Sequence, residues 1–214
     1  MATSPGLRPP RQARSHLTLQ RILDAGRAVF AENGYDGFTI AEVCRRSGVS
    51  AGAVYTRFRD KDALVLAVHD HAMAGLLDEV RAMFAPAREW DELPTAVLVE
   101  RAVQLLFAHF RRHAPIVRAA ILRAAVDPTL RASGARAVEA MSDAFTARLL
   151  DRAADFPHPD RAAAVRSAFA MSFEAVSWDV AFGAEFRATG ALGPDDLDER
   201  VPALCRMLLL TPPG

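Results

Sequence analysis

FTIAEVCRRSGVSAGAVYTR, residues 38–57, is the stretch that decides the fold. Thr39 followed three residues later by Glu42 has the pattern of a capping box, in which each side chain accepts from the other's free amide, so a short helix is predicted to begin there. Gly48 interrupts the helical pattern and supplies the backbone freedom of a tight turn. A second short helix is predicted for residues 51–58. Two short helices joined by a glycine-containing turn are the pattern of a helix-turn-helix.

A first helix is predicted to precede this motif, because apolar residues from Leu19 onward recur at three- and four-residue steps as far as Asn33-Gly34, a typical helix end. The shared core is predicted to contain Val43, Val49, Val54 and Phe58, and Cys44 is expected to pack between the helices. With Val54 and Phe58 inward, a rotation of about 100° per residue turns Gly52 and Thr56 outward and places Ala51 and Tyr55 on the flank. The outward face is that of a recognition helix, which in this motif enters the major groove of DNA.

Small side chains dominate the predicted recognition face, so direct reading of bases is expected to be limited. Arg57 is the one side chain there able to make a bidentate base contact. Phosphate contacts are better supplied, because Thr39 begins a helix, Tyr55 has a phenol and Lys61 begins the next helix. Residues 1–16 are predicted to form a flexible basic arm that reaches an adjacent groove. The predicted DNA contacts are Thr39, Ser50, Ala51, Gly52, Tyr55, Thr56, Arg57 and Lys61, with Arg8, Arg11 and Arg14 of the arm.

The net charge of the 214-residue chain is zero, which at first argues against a nucleic-acid partner. The net charge is zero because an excess of positive charge in one part of the chain is cancelled by an excess of negative charge in the other. Residues 1–61 contain ten arginines and lysines against five aspartates and glutamates, and the remaining residues contain sixteen against twenty-one. A basic N-terminal part on an acidic body is the polarity expected of a DNA-binding protein.

Composition predicts an all-α protein, because the chain has 42 alanines and 25 arginines, both good helix formers. Asp60 is predicted to cap a long fourth helix that continues to about residue 84. Pro202 is expected either to kink the last helix or to mark its start. Prolines divide the remainder into predicted helices near 94–112, 115–126, 129–155, 160–186 and 195–210.

The sequence argues against several classes of protein. No nucleophile elbow, phosphate-binding glycine loop or recognisable pair of catalytic carboxylates is present, so no enzyme activity and no cofactor are expected. The two cysteines, Cys44 and Cys205, predict neither a disulfide framework nor a zinc site. No secretory signal or membrane span is predicted, and a cytoplasmic protein is expected. His109 and His113 share a helix face, but no third ligand with matching spacing is evident, so no metal site is predicted.

Residues Leu19–Asp70 resemble the DNA-binding domain of the tetracycline-repressor-like (TetR) family. The resemblance rests on RILDA (21–25), VFAENGY (29–35), TIAEV (39–43), SGVS (47–50), Val54-Tyr55, Phe58 and KDAL (61–64). It covers about a quarter of the chain. It implies a homodimeric transcription regulator, commonly a repressor, whose C-terminal helical domain binds a small molecule and dimerises through its last two helices.

The predicted organisation is a basic arm (1–16), a helix-turn-helix domain (17–63) and a helical ligand-binding and dimerisation domain (64–214) joined through the long fourth helix. Predicted pocket residues are Trp90, Phe107, Phe110, His113, Phe173 and Trp178, although large aromatic residues in a helical domain also simply fill the core. Predicted dimer contacts are Phe169, Val176 and Val180 on one helix and Leu197, Val201, Leu204 and Leu208 on the last. The alternative is that both stripes face the core of their own chain.

The main hypothesis is therefore a dimeric DNA-binding transcription regulator, a repressor that a small-molecule effector releases from double-stranded operator DNA. The alternative is a helical ligand-binding or scaffold protein whose helix-turn-helix does not bind DNA. Binding to DNA that weakens steeply with salt separates the two hypotheses.

Overall fold

The structure is a computed structural model and describes residues 11–183 and 194–212. Within these residues the regular elements are ten α-helices and one short 3-10 turn, Ala153–Asp155. The helices are α1 (Arg11–Asn33), α2 (Ile40–Ser47), α3 (Ala51–Tyr55), α4 (Lys61–Met83), α5 (Arg88–Asp91), α6 (Thr95–Arg112), α7 (Ala114–Ala124), α8 (Pro128–Leu150), α9 (Arg161–Phe182) and α10 (Pro194–Leu210). The all-α prediction is confirmed.

The chain forms two compact units, residues 1–71 and residues 72–214. In the first unit α1 packs against α2, and the buried residues include all four of the predicted shared core, Val43, Val49, Val54 and Phe58. Phe30 and Phe38 meet edge to face in this core, with ring centroids 6.4 Å apart. The second unit is built around α9, which packs against α6, α7, α8 and α10.

The predicted arm is too long. Helix α1 begins at Arg11 rather than near residue 19, so Arg11 and Arg14 lie in a helix, and Arg8 lies outside the described residues. The reason is local: after Pro10 the chain contains neither proline nor glycine up to Gly26 and is rich in good helix formers.

The predicted cap of α4 is confirmed, and two further aspartates cap helices in which no cap was predicted. The Asp60 carboxylate accepts from the Ala63 amide at 2.8 Å, and Asp127 and Asp160 cap α8 and α9 in the same way. Helices α3, α8 and α9 end earlier than predicted, at Tyr55, Leu150 and Phe182, and the short α5 was not predicted. Helix α10 begins close to the predicted position and continues through Pro202, which is therefore not its start.

Arg111 of α6 ties three helices of the second unit together. Its guanidinium donates to Asp179 of α9 at 3.2 Å and to Asp198 of α10. Among the described residues, no helix combines the length and apolar character that crossing a membrane requires.

Candidate nucleic-acid interface

The turn between α2 and α3 depends on Gly48. Its φ of 65° and ψ of 25° lie in the left-handed region, and its amide donates to the Cys44 carbonyl at 2.9 Å. Arg21 of α1 donates from Nη2 to the Ser47 carbonyl at 2.5 Å, so the turn is also tied to the first helix. The predicted role of Gly48 is confirmed, because an L-residue adopts this conformation only with strain.

The start of α2 makes half of the predicted capping box. Thr39 Oγ1 accepts from the Glu42 amide at 3.2 Å. The Glu42 carboxylate does not return to Thr39: it accepts from Arg45 at 2.6 and 2.7 Å and from Arg46 at 2.7 Å. Two guanidinium groups outcompete one backbone amide for a carboxylate because charge-assisted hydrogen bonds are stronger.

This ion-pair group also links α2 to α1, because Arg46 bonds to Glu32 at 2.8 Å. Hydrogen bonds from Arg45 and Arg46 lower the pKa of Glu42 from 4.5 to about 2, and the bond from Arg46 lowers the pKa of Glu32. The same bonds raise the pKa of Arg46. The ionised carboxylates therefore hold the first two helices together at neutral pH.

Acid should remove this contribution. Because the folded-state pKa of Glu42 is depressed, its stabilisation is present above about pH 4.5 and is lost as the pH falls towards 2. We expect Glu42→Gln to lower the melting temperature at pH 7, with the gap to wild type closing as the pH approaches 3. Thermal melts across this range measure the effect. Glu92→Gln, which breaks the single exposed pair with Arg88, is the control and should change little. A gap of constant size at every pH would contradict the prediction.

Helix α3 presents the predicted outward face. Ser50 caps it by accepting from the Ala53 amide at 3.3 Å, and Val54 beneath it is fully buried. Tyr55 is 56% exposed. The other predicted contacts on this face, Ser50, Ala51, Gly52 and Thr56, are exposed as well. Their contact with DNA stays a prediction.

Arg57 takes a different position from the one that base reading requires. Its guanidinium donates to the Ala53 carbonyl at 2.9 Å and to Ser15 Oγ at 3.2 Å. In this conformation Arg57 joins α3 to the first turns of α1. A contact between Arg57 and a base requires these two bonds to open.

Lys61 is held by a residue that the sequence argument did not identify. Its Nζ lies 4.2 Å from the ring centroid of Tyr35, and the Tyr35 hydroxyl donates to the Asp62 carboxylate. A cation over an aromatic face is attracted by the ring. No local pattern signals a contact between residues 26 positions apart, so only the tertiary structure reveals it.

The predicted pocket residues of the second unit divide into two groups. Trp90, Phe107 and Phe110 are buried, and Phe173 is half-buried with its ring 5.5 Å from that of Phe110. Trp178, in contrast, is 50% exposed. A continuous series of ring contacts runs through this unit in the order Trp90, Phe84, Phe145, Phe169, Phe173, Phe110, His109 and His113.

Three predicted dimer contacts require correction. Phe169, Val176 and Val201 are buried in the core of their own chain, so they are not surface residues. Val180, Leu197 and Leu208 are half-buried, and Leu204 is exposed. The predicted stripe of α9 therefore follows its inner face at Phe169 and Val176, whereas the stripe of α10 runs from the buried Val201 to the exposed Leu204. The exposed large apolar residues of α9 and α10 are Met171, Trp178, Phe182, Leu204 and Met207.

No metal site is predicted from the sequence, because no third ligand with matching spacing accompanies His109 and His113. The structure brings Glu79 of α4 to both histidines, with its Oε2 atom 3.5 Å from His109 Nδ1 and 2.8 Å from His113 Nε2. The spacing along the chain could not reveal this carboxylate, because it comes from another helix.

A capped α2, a left-handed glycine turn and an outward-facing α3 on a packed α1 define the class of helix-turn-helix proteins. Residues 22–68 match the family model described as bacterial regulatory proteins, tetR family. The segment that carries the helix-turn-helix is therefore assigned to the DNA-binding domain of the TetR type.

Relatives and solved structures agree with this assignment. The chain is 36% identical over 106 residues to the HTH-type transcriptional repressor Rv1474c of Mycobacterium tuberculosis, a match that covers 44% of this chain and 57% of the repressor. The chain thus spans little more than half the length of that relative. A putative TetR-family transcriptional regulator from Mesorhizobium loti has the same fold, with a TM-score of 0.72 at 19% identity over 93% of this chain and 96% of that one. The FadR regulator of Bacillus subtilis, solved in complex with stearoyl-CoA, matches with a TM-score of 0.60 at 16% identity. This match covers 89% of this chain and 97% of the FadR chain.

Proposed function

We propose that this protein is a homodimeric DNA-binding transcription regulator, a repressor that a small-molecule effector releases from its operator. The observation that carries the proposal is the exposed face of α3, held on a buried core and flanked by the ring-supported Lys61. That face lies inside the segment that matches the TetR family model. The Mycobacterium tuberculosis relative is named a repressor, which supports repression rather than activation.

Phosphate contact is assigned to three groups of the first unit. Thr39 caps the N-terminus of α2, Tyr55 has its phenol exposed at the end of α3, and Lys61 begins α4. Helix N-termini and cations both favour a phosphate. Because the α3 face is built from small side chains, backbone contacts and DNA shape are proposed to contribute much of the specificity.

Release by an effector is assigned to the second unit. Its largely buried ring series is apolar, as the linings of small-molecule sites mostly are, and the FadR structure with stearoyl-CoA is a case of the same fold with a bound ligand. Helix α4 runs from Lys61 in the first unit to Met83 in the second, so it is the proposed link. An effector lowers DNA affinity only by binding more tightly to the conformation that fits the operator less well.

The proposal is tested with DNA fragments selected by the purified protein, followed by binding assays at several salt concentrations. We expect affinity to fall steeply with salt, and Lys61→Ala to weaken binding to all sequences and reduce the salt slope by about one. Thr39→Ala and Tyr55→Phe should weaken binding as well. Arg88→Ala, which removes one positive charge from an exposed helix of the second unit, is the matched control and should leave binding unchanged.

Wild-type affinity in all three variants would overturn the assignment of these contacts. DNA binding without salt dependence, or no binding at all, would favour the scaffold protein instead. The released fragments then serve to screen compounds for the effector.

A further inference from the structure

Three side chains from two helices of the second unit point their donor atoms at one place. Glu79 of α4 contributes a carboxylate oxygen, and His109 and His113 of α6 contribute one ring nitrogen each. All three donor atoms lie within 4.8 Å of one another. In the described part of the chain this is the one group of three histidine, cysteine or acidic residues with such proximity.

We propose that Glu79, His109 and His113 form a binding site for a divalent first-row transition-metal ion such as Zn²⁺. Two imidazoles and a carboxylate are a donor set that Zn²⁺ uses where three protein ligands leave the fourth position to water or another donor. The inference concerns the second unit alone and does not depend on DNA binding.

The distances suit this role. Donors about 2.1 Å from a tetrahedral ion stand about 3.4 Å from each other. His109 Nδ1 is 3.5 Å from Glu79 Oε2. This distance is close to the separation of two donors on one tetrahedral ion, and it is too long for a good hydrogen bond. His113 Nε2 is 2.8 Å from the same oxygen, a hydrogen-bond distance, so an ion replaces the shared proton and the two atoms move apart slightly.

Burial distinguishes His109 from an ordinary surface histidine. Its side chain is 2% exposed, and its Nε2 atom has no hydrogen-bond partner among the described residues. Burial lowers its pKa to about 4, so at neutral pH the ring is uncharged, which is the form that binds a metal. Its Nδ1 faces the Glu79 carboxylate at a distance too long for a good hydrogen bond, so no strong hydrogen bond explains the burial of this ring.

Access and charge are also compatible with an ion. Glu79 is half-exposed, so the site opens to solvent on the carboxylate side. The pKa of Glu79 is lowered, chiefly by its hydrogen bond with His113, and the carboxylate is therefore ionised at neutral pH. The neighbouring Arg112 is a cation that would repel a metal ion, but its side chain is exposed to solvent, which screens the repulsion. One carboxylate and two neutral imidazoles leave a divalent ion with a net positive charge, to which the fourth donor binds.

The test is metal binding by the full-length chain without a histidine tag. We expect one Zn²⁺ per chain in competition with a chromophoric chelator, and visible absorption of the tetrahedral type when Co²⁺ is used. Glu79→Gln and His113→Gln should each weaken binding about a hundredfold, as expected for loss of a direct ligand. Nitrogen NMR of the histidine side chains should show shifts at Nδ1 of His109 and Nε2 of His113.

His71→Gln is the matched control. His71 is also paired with a carboxylate, since its Nε2 is 2.9 Å from Asp24 Oδ1, but it has no place in a three-donor group. It should leave metal binding unchanged. Circular dichroism confirms that each variant is folded, and DNA binding is measured separately. Absence of stoichiometric binding by the wild type, equal binding by Glu79→Gln and His113→Gln, or no change at His109 on titration would each overturn the proposal.

Discussion

Replacement of Trp178 by aspartate should convert the proposed dimer into a monomer and lower operator affinity about a hundredfold or more. The loss is large because two linked recognition helices bind two half-sites together, whereas separate helices lose the gain from effective concentration. Sedimentation or light scattering measures the mass, and a gel-shift assay measures the affinity.

The physical reason lies in the outer surface of α9 and α10. Trp178 is 50% exposed and its ring lies 4.6 Å from that of Phe182, while Leu204 and Met207 of α10 are 51% and 58% exposed. Helices α9 and α10 pack against each other. Aromatic residues and methionine are enriched in protein interfaces, and exposed apolar groups of this size commonly mark them. A carboxylate placed there must be desolvated when the second copy binds.

Two further variants make the prediction selective. Leu204→Asp should give the same monomer, because Leu204 is assigned to the same interface. Val126→Asp introduces the same charge at a residue that is 72% exposed after α7, and it should leave the dimer intact. Because all three side chains are at the surface, folding should be unaffected. A dimeric Trp178→Asp protein would place the interface elsewhere.

Gly48→Ala should destabilise the first unit by about 2–3 kcal/mol and weaken DNA binding with it. The left-handed backbone costs a non-glycine residue about 1–2 kcal/mol. The new Cβ atom would also stand 2.9 Å from Arg21 Nη2. Arg21 can move, but it then loses its bond to the Ser47 carbonyl, which adds about 1 kcal/mol.

Substitution of two other glycines of the same unit separates the cost of the left-handed backbone from the cost of displacing Arg21. Gly34 has nearly the same φ, 63°, with open space around its Cβ position, so Gly34→Ala should show the backbone cost alone. Gly52 has open space and no positive φ, so Gly52→Ala should be neutral or slightly stabilising. Chemical denaturation gives the free energy of unfolding of each variant.

The contribution of Arg21 is checked by a double-mutant cycle. In an Arg21→Ala background, Gly48→Ala should cost no more than Gly34→Ala does. An equal cost of Gly48→Ala in both backgrounds would show that Arg21 plays no part. Because Ser50 begins α3 two residues after the turn, a displaced turn should also reduce DNA affinity.

Features that depend on neighbours along the chain were predictable. The helix-turn-helix, the core residues Val54 and Phe58, and the outward position of Gly52 and Thr56 follow from helical spacing and one glycine. The start of α1 was misplaced because the proline- and arginine-rich beginning of the chain suggested an arm, although helix formers continue from Arg11.

Features that depend on contacts between distant residues were not predictable. Spacing shows that α9 and α10 each have an apolar stripe, but it does not say which of two apolar faces turns inward. In the structure Phe169 and Val176 face the core, while Trp178 remains at the surface. A helix with apolar residues around most of its circumference has no single preferred inner face until its neighbours are in place.

The sequence by itself determined the all-α architecture, the helix-turn-helix and the resemblance of that segment to the TetR family, because capping, turn chemistry and periodicity operate over a few residues. Only the tertiary structure decided which side chains support that motif and which meet in the second unit. The support of Lys61 by Tyr35, the attachment of Arg57 to Ser15 and the meeting of Glu79 with His109 and His113 all join residues that are far apart in the sequence. Such pairings depend on how helices pack, and packing is settled by the whole core rather than by any local pattern.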